Sequence, residues 1–299
     1  MRLMILLKNV HFRLFFGAVM ISFSPVFVNI VNVAPTTSGF YRALFGGIAL
    51  TFFIFFSGKK ISFNQSAWVA IFCSAIFFSF DLWFWHRSIL YVGPGLATLL
   101  ANMQVFFMMA AGVLLFKQKP SVRQIISVPL AIIGLFMVVG IDWSNLPQNY
   151  QLGIVFGILT AISYSGYMLC MRQARINSTY SIPMREIAIM SLFVSIFLGS
   201  TAIFEGKSLL IPTVIDFSWL LAYGVLSHAV GLVLIASSLA RVPTTEVGLA
   251  LLLQPSLSFL WDILFFNRST SLVEALGVLI VLFAIFLGFK RNSQQKLLG

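Results

Sequence analysis

The amino-acid sequence predicts an all-α integral membrane protein, with ten transmembrane helices arranged as two inverted five-helix repeats. Three observations carry this. The 299 residues are 60% hydrophobic and only 9% charged, with a mean hydropathy of +1.00, whereas a soluble domain is about half apolar and about a quarter charged. The apolar residues gather in runs of ~20, the length that crosses a bilayer as a helix, without the period-two alternation of a membrane β-barrel. Finally, the segment Tyr91-Val-Gly-Pro-Gly-Leu-Ala-Thr-Leu-Leu-Ala-Asn-Met-Gln104 recurs at one constant offset as Arg241-Val-Pro-Thr-Thr-Glu-Val-Gly-Leu-Ala-Leu-Leu-Leu-Gln254.

Breaks at charge, Pro and Gly divide the runs into helices at 13–32, 36–57, 67–90, 94–116, 122–140, 152–173, 184–205, 215–238, 244–266 and 272–289. The first run has a basic lead but no small-residue cleavage site, and Ser22-Phe23-Ser24-Pro25 interrupts it, so it reads as a helix and not a signal peptide. Helix 2 ends at the Lys59-Lys60 pair, helix 4 at Lys117, helix 6 at Arg172, helix 8 at Arg241 and helix 10 at Lys290-Arg291. Ten crossings leave ~100 residues for loops and tails, too few for a soluble catalytic or nucleic-acid-binding domain.

Orientation follows from the cations. Of the 19 Lys and Arg, a cytoplasmic N-terminus leaves only Arg87, Lys207 and Arg268 outside, with Arg42 inside a span. Since cytoplasmic loops collect Lys and Arg, both termini are expected in the cytoplasm of a bacterial inner membrane. The net charge of +11 therefore reports topology; no nucleic-acid partner is expected. Cys73 and Cys170 lack CxxC spacing and read as small apolar residues.

The recurrence implies a first repeat at 1–145, a second at 149–290 and a cytoplasmic tail at 291–299. A looser echo links Phe16-Gly17 to Phe156-Gly157. Because five is odd, the second repeat enters from the opposite side, and such pseudo-symmetry supports outward-open and inward-open forms around a midplane site.

At these residues the chain resembles the drug/metabolite transporter superfamily, as a protein with two EamA domains. The resemblance rests on Ser24-Pro-Val-Phe-Val, Phe40-Tyr-Arg42, Asp81-Leu-Trp-Phe-Trp-His86-Arg-Ser, Ala97-Thr-Leu-Leu-Ala-Asn102 and Leu253-Gln-Pro255. It implies a central cavity formed mainly by helices 1, 3, 4, 6, 8 and 9, and secondary transport of small organic metabolites, often outward. Two departures stand out. Where the family ends helices 4 and 9 with a Leu-Gly-Glu-like turn, this chain has Lys117-Gln118 and Asn267-Arg268. The Pro often found within helix 4 is Val105, so helix 4 is expected to be straighter than helix 9, which keeps Pro255.

Asp81 is the sharpest candidate, because a carboxylate in a span is costly unless paired, watered or protonated. Arg42 is placed at matching depth. The two form either a structural ion bridge or a working pair, with Asp81 taking a proton or cationic group and Arg42 an anionic one. Trp85 lies one turn beyond Asp81 and either walls the site or anchors the interface. His86 reads as interfacial packing. His228, at mid-span in helix 8, is either a proton carrier or a hydrogen-bonded bundle residue. Gln104 and Gln254 fall near the midpoints of helices 4 and 9, as binding groups or as glue between helices. Asn102, Ser22, Ser24, Ser163 and Tyr164 share that choice. Pro25 and Pro255 free backbone carbonyls and are candidate flexing points. Asp262 and Glu246 read as solvated helix-end acids.

The three His residues form no HExxH pair, and neither a P-loop nor a GxSxG turn occurs, so no enzyme activity, metal or cofactor is expected. The function read from the sequence is secondary active transport of small polar metabolites, amino acids or relatives, by efflux, with protons as the candidate coupling ion and the bilayer as partner. A homodimer is compatible with it. The alternatives are an exchanger or importer of nucleotide-type or S-adenosyl-type metabolites and, from another class, an integral-membrane enzyme or assembly factor. The topology is testable with alkaline phosphatase, which is active only outside the cytoplasm: a fusion after residue 145 is expected to be active and one at Gly299 inactive. An active fusion at Gly299 reverses the assignment.

Overall fold

A computed structural model describes residues 9–56, 62–139, 149–176, 178, 180, 182–267 and 270–289, side chains included except at 93–96, 138–139 and 262. Arg2, Lys8, Lys59, Lys60, Asp142, Arg268, Lys290, Arg291, Lys296, the tail 291–299 and the Asp262 side chain lie outside that set. The described residues form an all-α membrane bundle. Among the described residues nine helices are long and apolar enough to cross a bilayer: α1 Val10–Ile30, α2 Pro35–Phe56, α3 Gln65–Val92, α4 Ala97–Leu114, α6 Tyr150–Ile176, α7 Met184–Phe204, α8 Val214–Leu239, α9 Thr244–Phe266 and α10 Leu272–Phe289. A shorter apolar helix, α5 Val122–Val139, stands between the two groups.

Contacts fix how these helices alternate. We call the end of the bundle where α1 begins basal and the other apical. His11 in α1 meets Glu246 in α9 at 3.2 Å, and the Ser238 hydroxyl near the end of α8 donates to the Val10 carbonyl, so these ends are all basal. Asn32, after α1, binds Asp216 in α8, and Arg87 in α3 pairs with Glu205 after α7, so those ends are apical. α3 and α4 form one unbroken helical run, Gln65–Asn102, where the sequence places a break. The run nevertheless turns back. Against α6, Ser88 meets Gly153 and Phe78 meets Tyr167, an antiparallel register. Further along, Leu100 packs on Gly157 and the Gln104 carbonyl receives the Ser165 hydroxyl, a parallel one.

Large apolar side chains such as Phe52, Phe55, Leu264, Leu279 and Phe283 point outward, as expected where hydrocarbon replaces water. The interior is closed by small residues where helices cross. A Cβ on Gly17 would lie 2.8 Å from Ile235, one on Gly157 2.6 Å from Leu100, and one on Gly46 2.7 Å from both the Gly224 carbonyl and the His228 ring.

Three spans are broken inside the membrane. α1 breaks at Phe23, just before Ser24-Pro25. α9 breaks at Leu252, before Gln254-Pro255. α4, expected to be the straighter of the two, also breaks, at Met103 and without a proline. Its cause is local: the Asn102 side-chain amide donates to the Thr98 carbonyl, the acceptor its own backbone N–H would use, and Met103 N turns to Leu100 O at 3.0 Å. The repeat is marked again at the helix ends. Lys117 and Asn267, where the Leu-Gly-Glu-like turn would carry Gly, both adopt left-handed backbone, with φ of 52° and 51°, and Gln118 N closes the first turn on Gly112 O at 2.8 Å.

Replacing Gly46 by Val forces α2 from α8 and is expected to cost more than the ~1–3 kcal/mol of ordinary overpacking. The folded fraction by size-exclusion chromatography in detergent should fall sharply. A monodisperse variant with unchanged melting temperature contradicts the packing described.

Candidate functional site

The centre of the bundle gathers polar side chains from both repeats. From α2, Arg42 is 7% exposed, and its Nη1 donates to the Tyr223 hydroxyl of α8 at 3.2 Å. Its guanidinium carbon lies 5.2 Å from the Tyr223 ring centre and 5.9 Å from that of Phe78 in α3, placing the charge against two π faces. Phe78 in turn packs on Tyr167 of α6 at 4.6 Å and on His228 of α8 at 6.0 Å. Tyr164, one turn before Tyr167, neighbours both it and Gln254 of α9.

Asp81 follows Phe78 by one turn of α3 and is as buried as Arg42. The ion bridge between them does not form: among the described residues Asp81 makes no ion pair or hydrogen bond, and ion pairs join His11 to Glu246, Arg87 to Glu205 and Arg175 to Glu186. The Arg42 guanidinium turns instead to α8, where its Nη1 is taken by the Tyr223 hydroxyl. Arg42 remains close enough to act on Asp81 through space.

The other candidates divide. His228 meets the Ser191 hydroxyl of α7 at 2.7 Å through Nε2. Gln104 reaches the Gly248 carbonyl of α9 at 3.5 Å. Asn102 spends its amide within its own helix. Ser22 accepts from the Trp261 indole at 2.8 Å, and Phe23 stacks on that ring at 4.4 Å. Trp85 is half-buried against His86, and Ser163 is buried. Pro25 and Pro255 each follow a helix break. Glu246 is held by His11 and Gln124.

The buried polar atoms without a hydrogen-bond partner among the described residues include Ser24 Oγ, Arg42 Nε, Gln104 Oε1, Tyr167 OH, His228 Nδ1 and Gln254 Nε2, and also atoms elsewhere in the bundle such as Ser38 Oγ, His86 Nδ1 and Glu186 Oε2. Buried polar atoms are normally satisfied, and in hydrocarbon the cost of leaving them bare is largest. Three of them, on Arg42, Tyr167 and His228, belong to residues that adjoin the Phe78 ring.

Sequence reasoning passed over Tyr223, Tyr167, Phe78 and Ser191. An aromatic residue inside an apolar run carries no signal of its own there. It also missed the pair Arg175–Glu186 near the basal end, 2.6 Å apart with side chains 7% and 0% exposed, because Glu186 sits beside a loop and looks solvated.

Comparisons with known proteins agree with this architecture. The model of the EamA-like transporter family matches residues 10–140 and again 151–289. An uncharacterized transporter of Archaeoglobus fulgidus is 24% identical over 195 residues, 65% of this chain and 67% of its own. A protein of known crystal structure superposes with a TM-score of 0.81 at 13% identity, covering 94% of this chain and 97% of the other. That likeness speaks for the fold alone.

Proposed function

The chain belongs to the EamA-like transporter family, and from that premise we propose that it is a secondary active transporter moving small polar organic metabolites, amino acids or their relatives, outward by alternating access. The observation that carries this is the buried, mutually unbridged Arg42 and Asp81. Each keeps capacity for an outside partner, so a solute with a carboxylate and an amine would satisfy both. Arg42 is suited to the carboxylate because its planar fork matches carboxylate geometry. Asp81 takes the amine, or a proton when the amine leaves. Around them Tyr164 and Tyr167 supply apolar faces with hydroxyl edges and Phe78 a purely apolar one.

The site draws on both repeats, so rocking one against the other exposes it to either end in turn. In a bacterial inner membrane the basal end faces the cytoplasm in this reading, and protons are the coupling ion. The assay is uptake of a 14C-labelled amino-acid mixture into proteoliposomes of the purified protein. Asp81→Asn is expected to lower the initial rate by about tenfold or more, the scale of one lost charged contact, with normal membrane yield. Full activity of that variant would overturn the role given to Asp81. An imposed proton gradient is expected to raise the wild-type rate, and equal rates with and without it would mean exchange or facilitation.

A further inference from the structure

One turn of α8 departs from α-helical geometry. Tyr223–Val230 is π-helical, flanked by α-helix on both sides. Such turns are rare and give up regular α-helical bonding, and they collect at functional sites. Three neighbours grip this one. Gly224 lies against the α2 backbone, where a Cβ would be 2.9 Å from Gly46 N. The Ser227 hydroxyl donates to Met20 O of α1 at 2.9 Å. His228 is held by Ser191 of α7.

The geometric effect is specific. At 3.6 residues per turn, two residues five apart point ~140° away from each other. In a π-helix the hydrogen bond itself spans five residues, so five is roughly one turn and the two share a face. Tyr223 and His228 are five apart, and both join the group around Phe78 and Arg42: Tyr223 through its hydroxyl and ring, His228 through Phe78 at 6.0 Å. Arg42 Nη1 is thereby engaged, while its Nε keeps no partner among the described residues.

We propose that Tyr223 is a positioning residue of the transport site, holding the Arg42 guanidinium from a face of α8 that the π turn presents together with His228. The inference rests on the reading that Arg42 contacts the transported solute, and it deepens that reading by naming what sets the guanidinium's orientation. Tyr223 does not contact the solute itself. It fixes one side of the fork and leaves the other directed inward, so its hydroxyl governs apparent affinity and not the maximal rate.

Two measurements test it. In proteoliposomes supplied with the 14C-labelled amino-acid mixture, Tyr223→Phe is expected to raise the half-saturating concentration about tenfold, one charge-assisted hydrogen bond, with little change in maximal rate. Tyr223→His, which restores an acceptor, should recover most of the loss. The second readout needs no substrate: phenylglyoxal modification of Arg42, followed by peptide mass spectrometry. Tyr223→Phe should change the Arg42 rate by about tenfold, and Tyr41→Phe, whose hydroxyl serves Leu209 O, should leave it unchanged. Deleting Leu226, which is 47% exposed, brings Tyr223 and His228 to the four-residue spacing that shares a face in an ordinary α-helix, and should keep the wild-type Arg42 rate. Should that deletion fail to fold, the Phe and His variants decide. Equal Arg42 modification in wild type and Tyr223→Phe would overturn the proposal. Absence of amino-acid transport by the wild type would overturn the substrate reading instead and leave the modification result to decide the role of Tyr223.

Discussion

The charge of Arg42, buried in a span without an acid at ion-pair distance, is the constraint around which the middle of the bundle is built. A guanidinium at that depth is expensive, and here the cost is offset by one hydroxyl and two aromatic faces. That solution requires α2, α3 and α8 to meet at one level. Their approach in turn requires Gly46 and Gly224, whose backbones touch; a side chain at either would hold Tyr223 away from the arginine. A local composition choice in two helices thus sets the electrostatics of the centre.

The ends of the bundle are held differently. Arg87 and Thr36 on Glu205, and Asn32 on Asp216, tie the repeats at the apical end. His11 on Glu246 and Gln118 on Thr244 tie them at the basal end, where Arg172 also holds the carbonyls of Leu239 and Val242 within the second repeat. Several of these are partly exposed ion pairs or single hydrogen bonds, and the exposed kind is worth ~0–1 kcal/mol. The interior contacts between glycines and large apolar residues cannot be exchanged for water so cheaply. Weak clasps at both ends with stiff packing between them fit the alternating access proposed above.

The spans and the repeat were legible in the sequence because the bilayer leaves few choices: hydrocarbon forces ~20 apolar residues per crossing, and the matched segments ending at Gln104 and Gln254 locate the repeat. Even Lys117 and Asn267, read as departures from a familiar turn, share one backbone conformation. The relation of Arg42 to Asp81 was not legible, because position along a helix does not say which way a guanidinium turns, and here it turns to Tyr223. Neither was the partnership of Tyr223 and His228. Their five-residue spacing reads as opposite faces in any α-helical projection, and nothing in the run Tyr-Gly-Val-Leu-Ser-His announces a π turn. What the sequence withholds here is register, which neighbouring helices impose through Gly224, Ser227 and His228.

The breaks in α4 and α9 show the same point from the side of chemistry. In α9 the cause is Pro255, which has no N–H to give the Leu251 carbonyl. In α4 it is Asn102, whose side chain takes the carbonyl of Thr98. Different residues produce breaks one position out of register with the repeat, and a glutamine stands just after each. A break frees backbone carbonyls at the depth where hydrocarbon tolerates them least, so it persists only where protein, water or solute can satisfy them. Gln104 and Gln254 each keep one amide atom without a partner among the described residues, which places unspent hydrogen-bonding capacity beside each break. The breaks thus arise by separate means and leave the same chemistry, a glutamine with unspent hydrogen-bonding capacity, independent of which residue opens each helix.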